Sequence, residues 1–238
     1  MTPLRTAPPG TVAAALAEAA PLGSFFALTV GGPDTGWRPV GDAYAAGVPD
    51  LVDAVARRHA VAEMRIAASI AQLGHAARLW SPVLFCAVAH GVLPDLDGLQ
   101  KAEDGAALRL PAPRGHRLPR DGDRAGALYH AVVTRHLDRL AAGLRVKVAP
   151  GLLYGNAASA LVEAARAILA ARPDLRDDLT GLLGELLRTG RLDRTGRVVS
   201  PEPAFRRRSC CLYHRAPAGR KCGDCSLARP DERPADRR

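Results

Sequence analysis

Apolar residues recur at three- and four-residue steps along much of this chain. Between Leu51 and Trp80 the positions Leu51, Val55, Arg58, Ala62, Ile66, Ile70, Leu73 and Ala77 keep that spacing, which lines one face of an α-helix. Asp50 is placed to cap this run, which reads as one long helix or as two with a break near His59. Pro82 is placed to open a further helix, VLFCAVAHGVL, apolar all round and therefore buried. Upstream, Thr11 is placed to cap a short helix in VAAALAEAA, and the stretch from Gly31 to Gly47, rich in Gly and Pro, reads as a loop.

The pattern breaks between Asp95 and Gly126, where Pro111, Pro113, Pro119 and several glycines punctuate a polar stretch. This reads as a surface connection whose one strand-like piece is ALRL at 107–110. Amphipathic character returns over Ala127 to Ala142. A helix is expected after Asn156, with the Gly155-Asn156 step as its start and Pro173 as its end, and another over DLRDDLTGLLGELLRTG, stopped by Gly190. The expected fold is mainly α: a helical body over 1–204, with room for a small β-sheet, then an irregular cysteine-bearing segment over 205–228 and a flexible charged tail over 229–238.

Composition sharpens this picture. The chain has 238 residues, 47% hydrophobic and only 4% aromatic, which suits close-packed Ala- and Leu-rich helices better than an aromatic-rich sandwich. The longest apolar stretch, Leu79 to Leu93, is interrupted and shorter than the roughly 20 residues of a spanning helix. The start lacks a basic, then apolar, secretory leader. A cytoplasmic protein is therefore expected, with peripheral membrane contact left open. No G-x-G-x-x-G or G-x-x-x-x-G-K-[ST] pattern occurs, so nothing points to a bound nucleotide, nicotinamide or flavin.

The chemistry concentrates near the end of the chain. Of the five cysteines, Cys210, Cys211, Cys222 and Cys225 fall in FRRRSCCLYHRAPAGRKCGDCSL. In a reducing compartment such a cluster is read first as metal-binding or redox-active. Cys222-Gly-Asp-Cys225 is a chelating turn in which two intervening residues let both sulfurs face one concavity. Neighbouring side chains diverge, so the Cys210-Cys211 pair suits a target wider than one tetrahedral zinc, such as a [2Fe-2S] cluster with its two irons. Structural zinc remains the main competitor. A disulfide is disfavoured by compartment, and a Rieske centre lacks its second histidine, only His214 lying in the segment. Cys86, inside an apolar helix, reads as a small buried hydrophobe.

Arg206-Arg207-Arg208-Ser209-Cys210-Cys211-Leu212-Tyr213, the ten-residue gap and Cys222-Gly223-Asp224-Cys225 together resemble the C-terminal signature of the FhuF-type ferric-siderophore reductases. Ala77-Arg78-Leu79-Trp80-Ser81-Pro82 and Leu153-Tyr154-Gly155-Asn156-Ala157-Ala158-Ser159 are similar to upstream stretches of that family. The resemblance implies one [2Fe-2S] cluster on Cys210, Cys211, Cys222 and Cys225, with no catalytic residue beyond the cluster. It further implies a ferric siderophore as substrate, and an external electron donor such as a ferredoxin or a flavin reductase. His214 departs from it, standing where relatives are expected to carry a second aromatic.

Charge fits this expectation. From Phe205 onward there are 10 Lys+Arg against 4 Asp+Glu, which accounts for most of the formal net charge of +9. Such a surplus offsets an anionic centre and steers an anionic partner. The substrate contacts expected from the sequence are Trp80, Asn156, Arg207, Arg208 and Arg215. Two other classes of function use the same cysteines: a zinc-holding, non-enzymatic module contacting nucleic acid or an acidic partner, and an iron-sulfur redox sensor. Nucleic acid is not expected, because only Phe205 and Tyr213 are interleaved with the basic residues and no finger pattern is present.

Overall fold

The computed structural model describes residues 4–199 and 203–228. It is mostly helical, with small sheets and short strands in the C-terminal region. Helix α1 (Pro9–Ala19) starts before Thr11, with Pro9 at its first position and no side-chain cap, since proline supplies a helical φ where no N–H is needed. The stretch 31–47 is not all loop. β1 (Thr29–Val30) precedes it, and β2 (Trp37–Pro39) and α2 (Val40–Ala46) lie within it, α2 stopping at Gly47 in the left-handed region.

The expected break near His59 is present, separating α3 (Pro49–Arg58) from α4 (Met64–His90). Asp50 does not cap α3. It lies in the first turn, and its carboxylate instead holds Lys101 Nζ at 2.5 Å and Arg38 at 2.9 Å. Pro82 does not open a new helix either, because α4 runs through it. An internal proline costs about 3 kcal/mol, and here every residue from Leu79 to Val88 is buried. Packing on all sides outweighs the one lost backbone bond.

The segment after α4 holds more strand than its punctuation suggests. β3 (Val92–Pro94) pairs antiparallel with β6 (Gly115–Arg117), and β4 (Gln100–Ala102) and β5 (Leu108–Leu110) pair antiparallel with each other. β1 joins β5 in parallel and β2 joins β4 antiparallel, giving a four-stranded sheet in the order β1-β5-β4-β2. Two cations are buried in it. Lys101 is satisfied by Asp50 and the Ala102 carbonyl; Arg109 bonds Asp34 and the Pro33 carbonyl and lies over the Trp37 ring.

Next come α5 (Arg124–Tyr129), a π-helical stretch (His130–Leu137) and α6 (Asp138–Gly143) in one continuous run. The π stretch turns His136 inward, where its Nδ1 and the Nε2 of His75 share the Tyr44 hydroxyl at 3.2 and 2.6 Å. Burial pushes both rings down, His75 to about 3 and His136 to about 4, so both are neutral at ordinary pH. Helix α7 spans Pro150–Ala171 and α8 spans Arg176–Leu186. Asn156 is therefore not a helix start: the helix begins at Pro150, and Asn156 is fully buried in its middle.

Helices α4 and α7 form the central pair. Ala67, Ala68 and Ala71 on one and Ala157, Ala160 and Ala164 on the other are all buried, and such small side chains let two helix backbones approach closely. Against this pair folds the C-terminal segment, whose β8 (Phe205–Arg207) pairs antiparallel with β7 (Gly196–Val198). The charged stretch 229–238 lies outside the described residues.

Candidate metal centre

Two turns carry the four tail cysteines and bring Cys211 and Cys222 into contact. After β8 the chain passes Cys210 and Cys211 and enters a short 3-10 turn at Tyr213–Arg215, with Leu212 at φ 67°, in the left-handed region. A side chain there carries strain; it lets the Leu212 N–H fold back onto the Cys210 sulfur at 3.3 Å. Gly219 then passes the Tyr213 carbonyl so closely that a Cβ could not fit. The Cys222–Cys225 turn closes with Cys225 N–H donating to the Cys222 carbonyl at 3.1 Å, and Arg207 N–H ties β8 to the Asp224 carbonyl at 3.1 Å.

The sulfurs divide as neighbouring residues must. Cys211 Sγ meets Cys222 Sγ at 3.6 Å, whereas Cys210 Sγ faces His214 Nδ1 at 3.4 Å, and Cys225 Sγ accepts the Leu227 N–H at 3.4 Å. All are free thiols. The Cys211–Cys222 spacing is that of a hydrogen bond between two sulfurs, close to the separation of about 3.8 Å between two thiolates on one tetrahedral metal with bonds of roughly 2.3 Å. Among the described residues no three His, Cys, Asp or Glu side chains are grouped around a single ion. The hydrogen bond from Cys222, helped by Arg207, holds the Cys211 thiol down to about 6, while the same bond and burial push Cys222 up. Burial also raises Cys210. The hydrogen-bonded pair of Cys211 and Cys222 thus favours one thiolate shared between them.

Beneath the sulfurs lies a buried polar floor built from both central helices. Ser69 of α4 donates to the Cys211 carbonyl at 2.7 Å. Asn156 of α7 donates to the Ser69 carbonyl at 3.0 Å and to Gln72 Oε1 at 2.9 Å, and accepts from Arg207 Nη2. Ser159 donates to Asp224, whose Oδ2 lies 3.9 Å from Arg207 Nε. Gly155 has no side chain for a reason: a Cβ there would fall inside 3.0 Å of Ser209 Oγ. Arg207 Nε and Nη1 and Ser209 Oγ are buried without hydrogen-bond partners among the described residues. Buried donors left unpaired are costly, and an anionic, sulfur-rich group among the four cysteines is the kind of acceptor they lack. The residues present fit such a group.

The remaining expected site residues have different fates. Trp80 is fully buried in α4 and cannot meet a substrate at the surface; burial of its large ring in the core explains its place. Asn156 is equally enclosed and acts as a floor member. Arg207 is 3% exposed and reaches a cavity wall. Arg208 points away, into a different cavity against α8, and Arg215 pairs with Glu63 at 2.8 Å. His214 is half-buried beside Cys210, not free in solvent. Cys86 is fully buried, and burial pushes its thiol up to about 12. Ser69, Gln72 and Ser159 are not among the expected site residues; each is a polar side chain on an otherwise apolar helix face, and Ser159 also ends the family-like stretch 153–159.

A cavity of about 710 Å³ adjoins this centre. Phe25, Phe26, Leu22 and Leu73 supply apolar walls, while Arg207 and the Cys222–Asp224 turn form the wall on the cysteine side. Among the described residues no helix is long and apolar enough to cross a membrane.

Residues 207–227 match the family model described as the FhuF 2Fe-2S C-terminal domain, so the resemblance is shown for that segment. No curated protein and no solved structure matches the chain.

Proposed function

We propose that this chain is a ferric-siderophore reductase. Cys210, Cys211, Cys222 and Cys225 would hold a [2Fe-2S] cluster, and the 710 Å³ cavity beside it would receive the ferric chelate. The observation that carries this reading is the cavity wall formed by Cys222, Gly223 and Asp224, which puts the cysteine centre and a ligand-sized space in contact. The matched family segment and the orphaned donors of Arg207 and Ser209 support the same cofactor.

When bound, a [2Fe-2S] cluster supplies one electron at a time. The chain's own residues do the rest. Arg207 places a buried cation beside the thiolates, offsetting their charge, and the α4–α7 polar floor fixes its guanidinium. Phe25, Phe26 and Leu73 exclude water from one side of the bound chelate. Siderophores hold Fe³⁺ through hard oxygen donors, and Fe²⁺ gains much less from them. One electron therefore loosens the metal, with no acid-base machinery required. The electron comes from an external donor such as a ferredoxin or a flavin reductase.

Anaerobic, dithionite-reduced protein is mixed with a ferric hydroxamate and a coloured ferrous trap. Reoxidation of the protein with matching gain of trapped Fe²⁺ is expected; reduced protein that stays reduced across several chelates would refute the reductase reading.

A further inference from the structure

A separate cavity of about 800 Å³ shares no lining residue with the one beside the cysteines. It lies at the far end of α4, against β6 and the first turn of α5, about 27 Å along the helix from Ser69 at the cysteine segment. Arg5, Arg117, Arg120 and Arg124 line it against one carboxylate, Asp178. That carboxylate is already engaged, by Arg124 Nη1 and Nη2 at 2.6 and 3.0 Å. Glu18 does not line the cavity; it lies 3.0 Å from His90 Nε2, which does, and Arg172 holds it at 2.9 Å. Among the described residues Arg5, Arg117 and Arg120 have no ion pair or side-chain hydrogen bond. The backbone sets two of them against each other. Thr6 pairs with His116 in antiparallel register, and the Arg117 N–H donates to the Arg5 carbonyl at 2.7 Å, so Arg5 and Arg117 stand directly opposite, both on the cavity. Like charges so placed repel. Arg124 adds an independent observation: it is 8% exposed, and its Nε is buried with no hydrogen-bond partner among the described residues. Such an unpaired donor is costly. Even with Glu18 counted, the cavity keeps a positive excess that an anion relieves.

We propose that this cavity binds a phosphate monoester with an apolar body. Such a group carries a charge of about −1.5 to −2 at pH 7 and three acceptor oxygens. Guanidiniums arriving from two paired segments and a helix can therefore share it, each through its fork of N–H donors. A carboxylate offers one charge and two oxygens, too little for four arginines. Leu4, Val88, Leu118 and Pro119 supply an apolar wall for the rest of the molecule. The site stands apart from the cysteine centre and does not depend on the reductase reading.

Calorimetry on the full chain tests this, with 1-naphthyl phosphate as the probe and 1-naphthoate, 1-naphthol and inorganic phosphate as comparisons. The probe should bind at least about tenfold tighter than each of them. Arg5→Gln/Arg117→Gln, at two exposed positions, should weaken the probe about tenfold, while its thermal unfolding midpoint without ligand stays level or rises as the cross-strand repulsion is removed. Arg188→Gln/Arg197→Gln, in the basic cavity against α8, should bind the probe as the wild type does. Vesicles of phosphatidylcholine containing phosphatidic acid present the same phosphate monoester on a membrane. Retention on them that is lost in Arg5→Gln/Arg117→Gln gives a lipid headgroup as the natural source; probe binding without retention gives a soluble phosphate. No binding of the probe, equal affinity for 1-naphthoate, full affinity in Arg5→Gln/Arg117→Gln, or an equal loss in both double variants would each overturn the site.

Discussion

Replacing Gly155 by alanine tests how the cysteine segment is seated on the central helices. In an isolated helix the change is favourable by about 1 kcal/mol. Here the added Cβ falls inside 3.0 Å of Ser209 Oγ, with Arg207 Nη2 at 3.4 Å and Ser209 Cβ at 3.6 Å. Ser209 lies one residue before Cys210; its hydroxyl must turn aside about one torsion, and to the extent that its packed surroundings prevent this the overpacked contact costs up to about 1–3 kcal/mol. The net loss is then up to about 2 kcal/mol. It falls on the joint between α7 and the segment, so the cysteines lose their seat before the helical body unfolds. Ser209→Ala removes the colliding atom, and because in the metal-free protein that hydroxyl has no partner among the described residues, its loss there should cost less than about 0.5 kcal/mol. Without metal the double variant should match or exceed wild-type stability by up to about 1 kcal/mol. The assay is chemical unfolding with iron analysis across the four-protein cycle, where a coupling of about 1–3 kcal/mol is expected. Full iron content and unchanged stability in Gly155→Ala, or strictly additive effects, would refute the close approach.

Three further outcomes are expected. Serine at Cys210, Cys211, Cys222 or Cys225 should each weaken or abolish retention of the metal centre, read by visible absorption and iron content, whereas Cys86→Ser, deep in α4, should keep the spectrum. Ala167→Trp, at a partly buried position on the wall of the 710 Å³ cavity, should fill part of it and lower kcat/KM for a ferric chelate at least about tenfold with an unaltered spectrum, as loss of transition-state access does; unchanged kinetics would move the substrate elsewhere. Asp50→Asn strands the buried Lys101 and should cost about 3 kcal/mol at pH 7 by denaturant titration. Lys101 and Arg38 hold the Asp50 carboxyl below its ordinary range against the opposing effect of burial. Its contribution is therefore present above about pH 4 and lost as pH falls through its folded value, so wild type and variant should converge in acid.

The helices were largely legible because their apolar spacing is long and regular, and the break near His59 and the stop at Pro173 follow from local residues. The strands were not. β2 to β6 are three residues each, too short to show an alternation, and two carry buried cations, Lys101 and Arg109, that only distant partners make tolerable. Pro82 and Asn156 misled for one reason: each is a boundary residue by local preference, and burial between helices overrides that preference. At the candidate site the cysteines stood out by spacing alone. The floor did not, since Ser69 and Ser159 reach the segment across 142 and 65 residues of sequence, and Gln72 reaches α7 across 81. The arginines of the tail looked equivalent in sequence, yet Arg207 is buried, Arg208 exposed and Arg215 paired with Glu63.

On the function proposed, the four tail cysteines hold a two-iron cluster. Protein purified without oxygen, analysed for iron, acid-labile sulfide and zinc alongside its absorption spectrum, tests it directly. About two irons and two sulfides per chain, with visible absorption bleached by dithionite, are predicted. A colourless protein with about one zinc per chain would contradict it.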